Sequence, residues 1–565
     1  MNGYADPRED AKVTGGDAVI TALVRSGVDT VFALHGAHIE TLFRASAEKS
    51  VRLVDVRHEC SAGFAAEAYA RVRRSLGAAL VTAGPGFTNV ITSIANAYED
   101  QTPVLYVAGS AHLREAESNA LQAGIDQVAI ARPVTKWAHR VNLTEQIPRM
   151  VSQAIRIATS PPFGPVLLDI PIDVLQAALP PGARNFPLAV EVPQHPESQA
   201  LEDAIALMAS AQRPVLMIGQ GAAQAGAEKE LLTFAEHWGV PVFVDGFAHG
   251  IFPSDHGLYG ASFYKLAELA EAGRRPDVIL ALGVRFGLTS GTMSDVAVPA
   301  DAKIIQIDVD AKEIGRIRPV EIGMRADPRY ALRALIAQVA GRNPGVHEDW
   351  TRYVRDRLQA RRQCILRSLT ESSDRIHPLS ACQAVVDALP RDCILVSDGA
   401  ESSHWLDEVV GQVAPRSFLP HGFFGCMGMG LGLAMGAKAA APDRPVVCVS
   451  GDGSIGFAIA EFDTMVRHRL PSVVVVLNNR AWGSSVHFQE RHSGPERVHG
   501  TRLAAARYDE VAAALGGRGV RVTEADAIGP AIRKALSSEL PTCINVEVEL
   551  SAAPPNMSVF SRRGP

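Results

Sequence analysis

Two apolar runs late in the chain end in residues that could share a hard cation. Val446–Ser450 leads into Gly451-Asp452-Gly453-Ser454, and Val473–Leu477 leads into Asn478-Asn479, with residues 454–477 between the two tips. One helix, roughly 454–469, fills that gap, making a strand–helix–strand crossover that sets two parallel strand ends side by side. Asp452 then offers a carboxylate and Asn479 an amide oxygen, with a loop carbonyl after Asn479 as a third ligand. Magnesium suits such an incomplete oxygen set, because a bound phosphate completes its octahedron. Gly451 and Gly453 let the backbone approach that phosphate, and Ser454 is expected to open a helix whose N-terminus favours the anion. Each fragment alone reads as a turn or a strand end; the spacing of the pair points to chemistry.

A second acid with prospects lies far upstream. Glu59 follows the apolar strand in Val51–Val56 and opens an Ala-rich helix. The bland account is a helix cap or a first-turn charge favoured by the helix dipole.

The elements that must position these residues are legible along the whole chain. Short β-branched runs alternate with Ala-rich, helix-length stretches: 30–34, 77–84, 102–109, 164–171, 213–219, 276–283, 303–310, 393–399, 445–453 and 472–479. Continuous apolar strands of this kind belong to parallel sheets covered on both faces. The fold class is therefore α/β, with doubly wound parallel sheets whose ligands gather at strand C-termini. A Pro-rich stretch at 178–199 and a charge-dense helical one at 341–363 divide the chain into units of about 12–180, 200–340 and 376–550. Residues 551–565 form a tail whose Met557, Val559 and Phe560 suit either a lid or a frayed end.

Composition narrows the function classes. The chain has 565 residues, with 55 Lys and Arg against 61 Asp and Glu, a formal net charge of −6. A hydrophobic share of 47% and a charged share of 21% exclude a disordered or fibrous chain. The mild acidity argues against nucleic acid or an anionic membrane as partner. Seven cysteines without a C-x-x-C pair suggest neither a disulfide framework nor a zinc site, and no signal peptide or membrane span is apparent, so the cytoplasm is expected.

Gly-Asp-Gly followed at this distance by Asn-Asn resembles the hallmark of the thiamine diphosphate enzymes, in the acetolactate synthase-like group. The resemblance covers nearly the whole chain and implies a pyrimidine-binding domain (12–180), a central domain (200–340) and a diphosphate-binding domain (376–550). It implies that Asp452, Asn479 and the carbonyl of Ala481 hold Mg2+, and that Gly399, Ala400, Gly453, Ser454, Trp482 and Gly483 cradle the diphosphate. Glu59 would bond the aminopyrimidine, and Gly425 and Met427 would contact that ring, although Met427 alone reads as core filler. Residues 83–109 match the glycine turn and helix of the pyrimidine-binding domain. Because Glu59 and Asp452 belong to different domains, the resemblance also implies a homodimer or homotetramer with its site at the subunit interface.

Residues 33–43, 121–141, 421–438, 478–489 and 500–503 are most similar to the benzaldehyde lyase branch. By that likeness Ala37, His38, Gln122, Ile172, Ser403 and Ser484 line the substrate pocket, His38 relaying a hydroxyl proton and Gln122 donating to a developing alkoxide. The pocket departs from that branch: Ile172 replaces a tryptophan, Ser403 a tyrosine, Ser484 an alanine and Ala481 a serine. A roomier, more polar cavity suits aliphatic or short hydroxylated 2-hydroxy ketones, cleaved to aldehydes or formed from them. His404 has no counterpart there and reads as a new polar contact or as surface. The competing readings are a 2-oxo acid decarboxylating carboligase such as acetolactate synthase, and a cofactor-binding regulatory homologue without activity. Those synthases carry FAD in the central domain; here Gly219, Gly221 and Gly226 miss the G-x-G-x-x-G spacing, so FAD is open but not indicated.

Overall fold

The computed structural model describes residues 13–115, 118, 120–180, 182–183, 186–187, 193–287, 290, 294–340, 347–368, 375–411, 413–414, 417–551, 553–555 and 557. Val559 and Phe560 of the expected lid lie outside them.

Three parallel sheets of six strands each account for the alternation read in the sequence. The first holds β1 (Thr30–Ala33), β2 (Arg52–Asp55), β3 (Gly77–Val81), β4 (Val104–Ser110), β5 (Trp137–Arg140) and β6 (Val166–Pro171), in the order β2-β1-β3-β4-β6-β5. The second holds β7 (Pro214–Ile218), β8 (Val242–Val244), β9 (Tyr259–Ser262), β10 (Val278–Leu282), β11 (Lys303–Asp308) and β12 (Ile322–Arg325), in the order β12-β11-β10-β7-β8-β9. The third holds β13 (Ile394–Asp398), β14 (Phe418–Leu419), β15 (Val446–Gly451), β16 (Val473–Asn478), β17 (Arg518–Val522) and β18 (Thr542–Glu547), in the order β14-β13-β15-β16-β18-β17. Central strands such as β3, β4, β6, β7, β10 and β16 are buried along their whole length, as apolar runs covered by helices on both faces must be.

By compactness the chain forms two units. One comprises the described residues up to 191 with 422–443 and 458–470; the other comprises 192–421, 444–457 and the described residues from 471 onward.

Inside the first unit, the helix Glu59–Arg73 is buried on almost every side. The helix Gly430–Ala440 crosses it closely because Gly432 and Gly436 lack side chains. A Cβ on Gly432 would stand 2.7 Å from Phe64 Cβ, and one on Gly436 would overlap the carbonyl oxygen of Ala65. This crossing holds the helix that begins with Glu59.

The crossover between β15 and β16 differs from expectation. Instead of one helix there are two short ones, Asp452–Ile455 and Glu461–Arg467, separated by a turn over 456–460. The break serves Glu461, a buried acid whose carboxylate accepts the amides of Arg57 at 3.1 Å and His58 at 3.1 Å within the first unit. Arg467 and His468 then both reach Asp55 at 2.7 Å, which fastens the end of β2 just before Glu59. Among the described residues no helix is long and apolar enough to cross a membrane.

Candidate functional site

In the first unit, the residues singled out from the sequence converge on the loop that follows β3. Thr82 Oγ1 lies 3.2 Å from His38 Nδ1. A Cβ on Gly86 would stand 2.8 Å from Thr82 Cγ2 and 3.4 Å from Glu59 Oε1, and one on Gly84 would stand 2.9 Å from Gln122 Cβ. Glu59, His38 and Gln122 thus all approach one short segment, Thr82–Gly86, a three-residue loop and the first two residues of the helix Pro85–Glu99, although 84 positions separate His38 from Gln122. Gly84 has φ +63°, and Gln122, which is not glycine, adopts the same left-handed region at φ +63°.

Glu59 is not a helix cap. His58 is the N-cap, accepting the amide of Cys60 at 3.1 Å, while the Glu59 side chain is buried and accepts from Asn89 Nδ2 at 2.9 Å. Sequence reasoning missed Thr82 and Asn89. It also missed Gln127, which braces the loop by accepting the Gly84 amide at 2.9 Å and donating to Asp169 at 2.9 Å. The available signal was a run of hydroxyl and amide residues around the Gly84-Pro85-Gly86 turn.

Burial lowers the pKa of His38, and the neighbouring His112 lowers it further, so the imidazole favours its neutral form. Its Nδ1 is engaged by Thr82, and the backbone of β4 closes behind it, a Cβ on Gly109 lying 2.7 Å from His38 Cβ. Ala37 is exposed beside it, and Ile172 opens the short helix Ile172–Gln176 at the end of β6. Gly425 takes φ +70° in a turn whose neighbour Phe423 donates its amide to the buried Asp100 at 2.8 Å. Met427 is 37% exposed, which removes its reading as core filler.

In the second unit, β15 and β16 pair with Gly451 opposite Leu477, so Asp452 and Asn479 stand at adjacent strand tips as expected. Asp452 is buried, its Oδ1 accepts the Gly453 amide at 3.0 Å, and its Oδ2 is buried with no hydrogen-bond partner among the described residues. Burial pushes its pKa up to about 7, against the opposing pull of nearby backbone amides. A buried carboxylate with one orphaned oxygen fits a cation, whose charge would offset the desolvation. Asn479 Oδ1 accepts the Ala481 amide at 3.1 Å, leaving a further lone pair. Among the described residues no group of three His, Cys, Asp or Glu could hold a metal, so a cation here would depend on oxygens of other kinds beside the Asp452 carboxylate.

The proposed diphosphate cradle is shaped by missing side chains. Gly399 has φ +90°, and a Cβ there would stand 2.7 Å from Ser454 Oγ and 2.8 Å from Ser402 Oγ. A Cβ on Gly453 would press into the Trp482 ring, and one on Gly483 into the Glu401 carboxylate. Ala400 opens the helix Ala400–Val409, which follows β13. One expectation fails here: Ser454 does not begin a helix. The helix starts at Asp452 and has 4 residues, too few peptide dipoles to attract an anion strongly.

Glu401 is the acid that sequence reasoning overlooked. It is buried, accepts from Asn479 Nδ2 at 3.1 Å and from Trp405 Nε1 at 3.4 Å, and lies 3.3 Å from His487 Nε2. Its hydrogen bond raises the pKa of His487. Of the pocket residues on this side, Ser403 accepts from Ser397 Oγ at 2.6 Å, and Ser484 Oγ is buried without a partner. His404 is half-buried rather than surface; burial, with His421 nearby, pushes its pKa down to about 4. At the central-domain turn, a Cβ on Gly221 would stand 2.8 Å from Gly283 Cα, so these glycines serve the close approach of two strand ends.

Three family profiles match the chain. Residues 13–130 match the N-terminal TPP binding domain of the thiamine pyrophosphate enzymes, 201–335 their central domain, and 398–546 their C-terminal TPP binding domain. The chain is 34% identical to an acetolactate synthase large subunit of Mycobacterium tuberculosis over 545 residues, covering 96% of this chain and 97% of that one. It is 30% identical to 2-hydroxyacyl-CoA lyase 2 of Caenorhabditis elegans, covering 95% and 88%, and 30% identical to oxalyl-CoA decarboxylase of Escherichia coli, covering 94% and 94%.

Proposed function

The chain belongs to the thiamine pyrophosphate-dependent enzymes of the acetolactate synthase type, and on that premise we propose that it cleaves and forms 2-hydroxy ketones, exchanging them with pairs of small aldehydes. The cofactor, when bound, supplies the nucleophilic carbon and the electron sink. The chain's own residues bind, orient and move protons. Asp452, Asn479 and the Ala481 carbonyl would hold Mg2+, with Gly399, Ala400, Gly453, Ser454, Trp482 and Gly483 around the diphosphate. Glu59, steadied by Asn89, would bond the aminopyrimidine beside Gly425 and Met427.

The observation that carries the lyase reading is the approach of His38, Gln122 and Glu59 to the one segment Thr82–Gly86. Thr82 engages Nδ1, so Nε2 is the nitrogen left to take the hydroxyl proton of the substrate. Gln122 has two amide hydrogens to donate to the oxygen that gains charge. By the likeness to the benzaldehyde lyase branch, Ile172 and Ser403 replace two aromatic residues, and Ser403 and Ser484 add hydroxyls, which favours aliphatic or short hydroxylated substrates over benzoin.

The assembly in this reading is a homodimer or homotetramer whose subunits jointly complete the cofactor site. The exposed Phe424 and Met427 of one unit, and Phe457 and Phe488 of the other, support it as apolar surface awaiting a partner. A soluble, cytoplasmic enzyme is part of the same proposal.

A second reading, decarboxylation of a 2-oxo acid with ligation, is favoured by the likeness to acetolactate synthases. One experiment separates the two. Purified protein with Mg2+ and thiamine diphosphate is offered acetoin, benzoin, formaldehyde and pyruvate. Aldehyde release from the ketones, lost in His38→Ala, supports the lyase; acetolactate from pyruvate selects the synthase. Wild-type cleavage by His38→Ala removes His38 from the mechanism. A yellow preparation would reveal bound FAD.

A further inference from the structure

We propose that Glu401 is a positioning residue that turns the oxygen end of Asn479 toward the metal site. The inference rests on the reading of Asp452 and Asn479 as magnesium ligands.

A side-chain amide is nearly symmetric in shape but not in charge. Its oxygen attracts a cation and its NH2 group repels one, so a metal-ligating asparagine needs something to forbid the flip. An ionised carboxylate can only accept hydrogen bonds. Glu401 Oε2 receives Nδ2 of Asn479 at 3.1 Å, and Oδ1 of the same amide receives the Ala481 amide at 3.1 Å. Both ends of Asn479 are therefore assigned by partners of opposite character. The second of these partners belongs to the residue whose carbonyl is the third proposed ligand.

The carboxylate is itself held. Its Oε1 takes Trp405 Nε1 at 3.4 Å from one turn along the same helix, and lies 3.3 Å from His487 Nε2. Glu401 is 8% exposed, so water competes little for these contacts. Gly483 makes the arrangement fit: any side chain there would occupy the place of Oε2. Because Glu401 touches Asn479 rather than the ion, it acts through another residue. Such outer partners typically change metal affinity by roughly 10–100-fold.

The test uses the full-length protein and two titrations. One follows Mn2+ by electron paramagnetic resonance; the other follows Mg2+ in the presence of thiamine diphosphate by tryptophan fluorescence, Trp482 being packed on Gly453. Glu401→Leu, which leaves Asn479 without an acceptor, is expected to raise the half-saturating metal concentration roughly 10–100-fold. Glu401→Gln, which can still offer one oxygen, is expected to lie nearer wild type. Trp405→Phe, which frees one anchor of the carboxylate, shifts in the same direction by less, and with the Gln variant carries the test should the Leu variant not fold. At saturating metal the variants regain most of their turnover, which a general structural defect would not allow. Wild-type metal affinity in a folded Glu401→Leu or, failing that, in both other variants overturns the inference. Asp452→Ala is the separate control: if it binds metal normally, the ligand reading itself falls and this inference falls with it.

Discussion

Asn89 donates its side-chain amide to Glu59 Oε2 across 2.9 Å, from a helix that begins four residues earlier at Pro85. The bond orients a buried carboxylate in the first turn of its helix. Glu59→Gln is expected to lower turnover on the order of 10²–10⁴-fold, the range for a lost proton-transfer partner, while the apo protein keeps its melting temperature. Asn89→Leu should cost less, and mainly in turnover. Steady-state kinetics on both variants, with calorimetry on the apo forms, check this.

His38 is held toward its neutral form by burial and by His112. A base must be unprotonated to accept a proton, so the acid limb of kcat/KM should report its titration. Removing His112 takes away a repulsive charge and raises the His38 pKa. His112→Ala is therefore expected to move the acid limb to higher pH, as a pH–rate profile of acyloin cleavage would show.

Asp452 carries one orphaned, buried oxygen. Metal removal by a chelator should release thiamine diphosphate and leave the fold intact. Asp452→Ala should abolish metal-dependent cofactor retention at any magnesium concentration. Equilibrium dialysis with labelled cofactor decides, and retention by the variant would count against the whole site.

Glu67 lies on the same helix as Glu59 but belongs to the packing rather than the chemistry. It is fully buried, and burial, with Asp100 beside it, pushes its pKa up to about 8. Between the ordinary carboxyl range and that value, the native state holds a proton that the unfolded chain has lost. Its contribution to stability is thus complete at low pH and declines as pH rises toward 8. Denaturant midpoints measured from pH 5 to 8 should fall in the wild type and flatten in Glu67→Gln.

Gly436 sits where the helix Gly430–Ala440 crosses Glu59–Arg73, with the Ala65 carbonyl oxygen where a Cβ would go. Overpacking typically costs about 1–3 kcal/mol, and more where backbone must move. Gly436→Leu should lower the melting temperature and, by displacing the Glu59 helix, reduce cofactor affinity; cofactor affinity equal to wild type would uncouple the crossing from the site.

Much of the architecture was legible because parallel strands buried on both faces must be continuously apolar. Runs such as 303–310 and 472–479 could be little else. Of the strands that escaped notice, β5, β12, β14 and β17 lie at the edges of their sheets, where packing demands less of composition, whereas β8 and the six-residue β18 are interior strands. The crossover helix was misjudged for a related reason. Its apolar pattern from 454 to 469 reads as one helix, yet residues 456–460, which begin with Gly456, form a turn, and the second helix starts at Glu461, whose carboxylate accepts the Arg57 and His58 amides just beyond β2.

The adjacency of the strand tips carrying Asp452 and Asn479 was expected from the sequence, through the spacing of the two motifs, and β15 and β16 do pair. So was the alternation that makes three sheets. Only the tertiary structure decided which neighbours serve these residues: Thr82 for His38, Asn89 for Glu59, Glu401 for Asn479. Periodicity reports how a segment meets its own sheet. A hydrogen bond between side chains far apart in sequence depends on where loops close and where a glycine leaves room, and neither leaves a periodic trace in the chain.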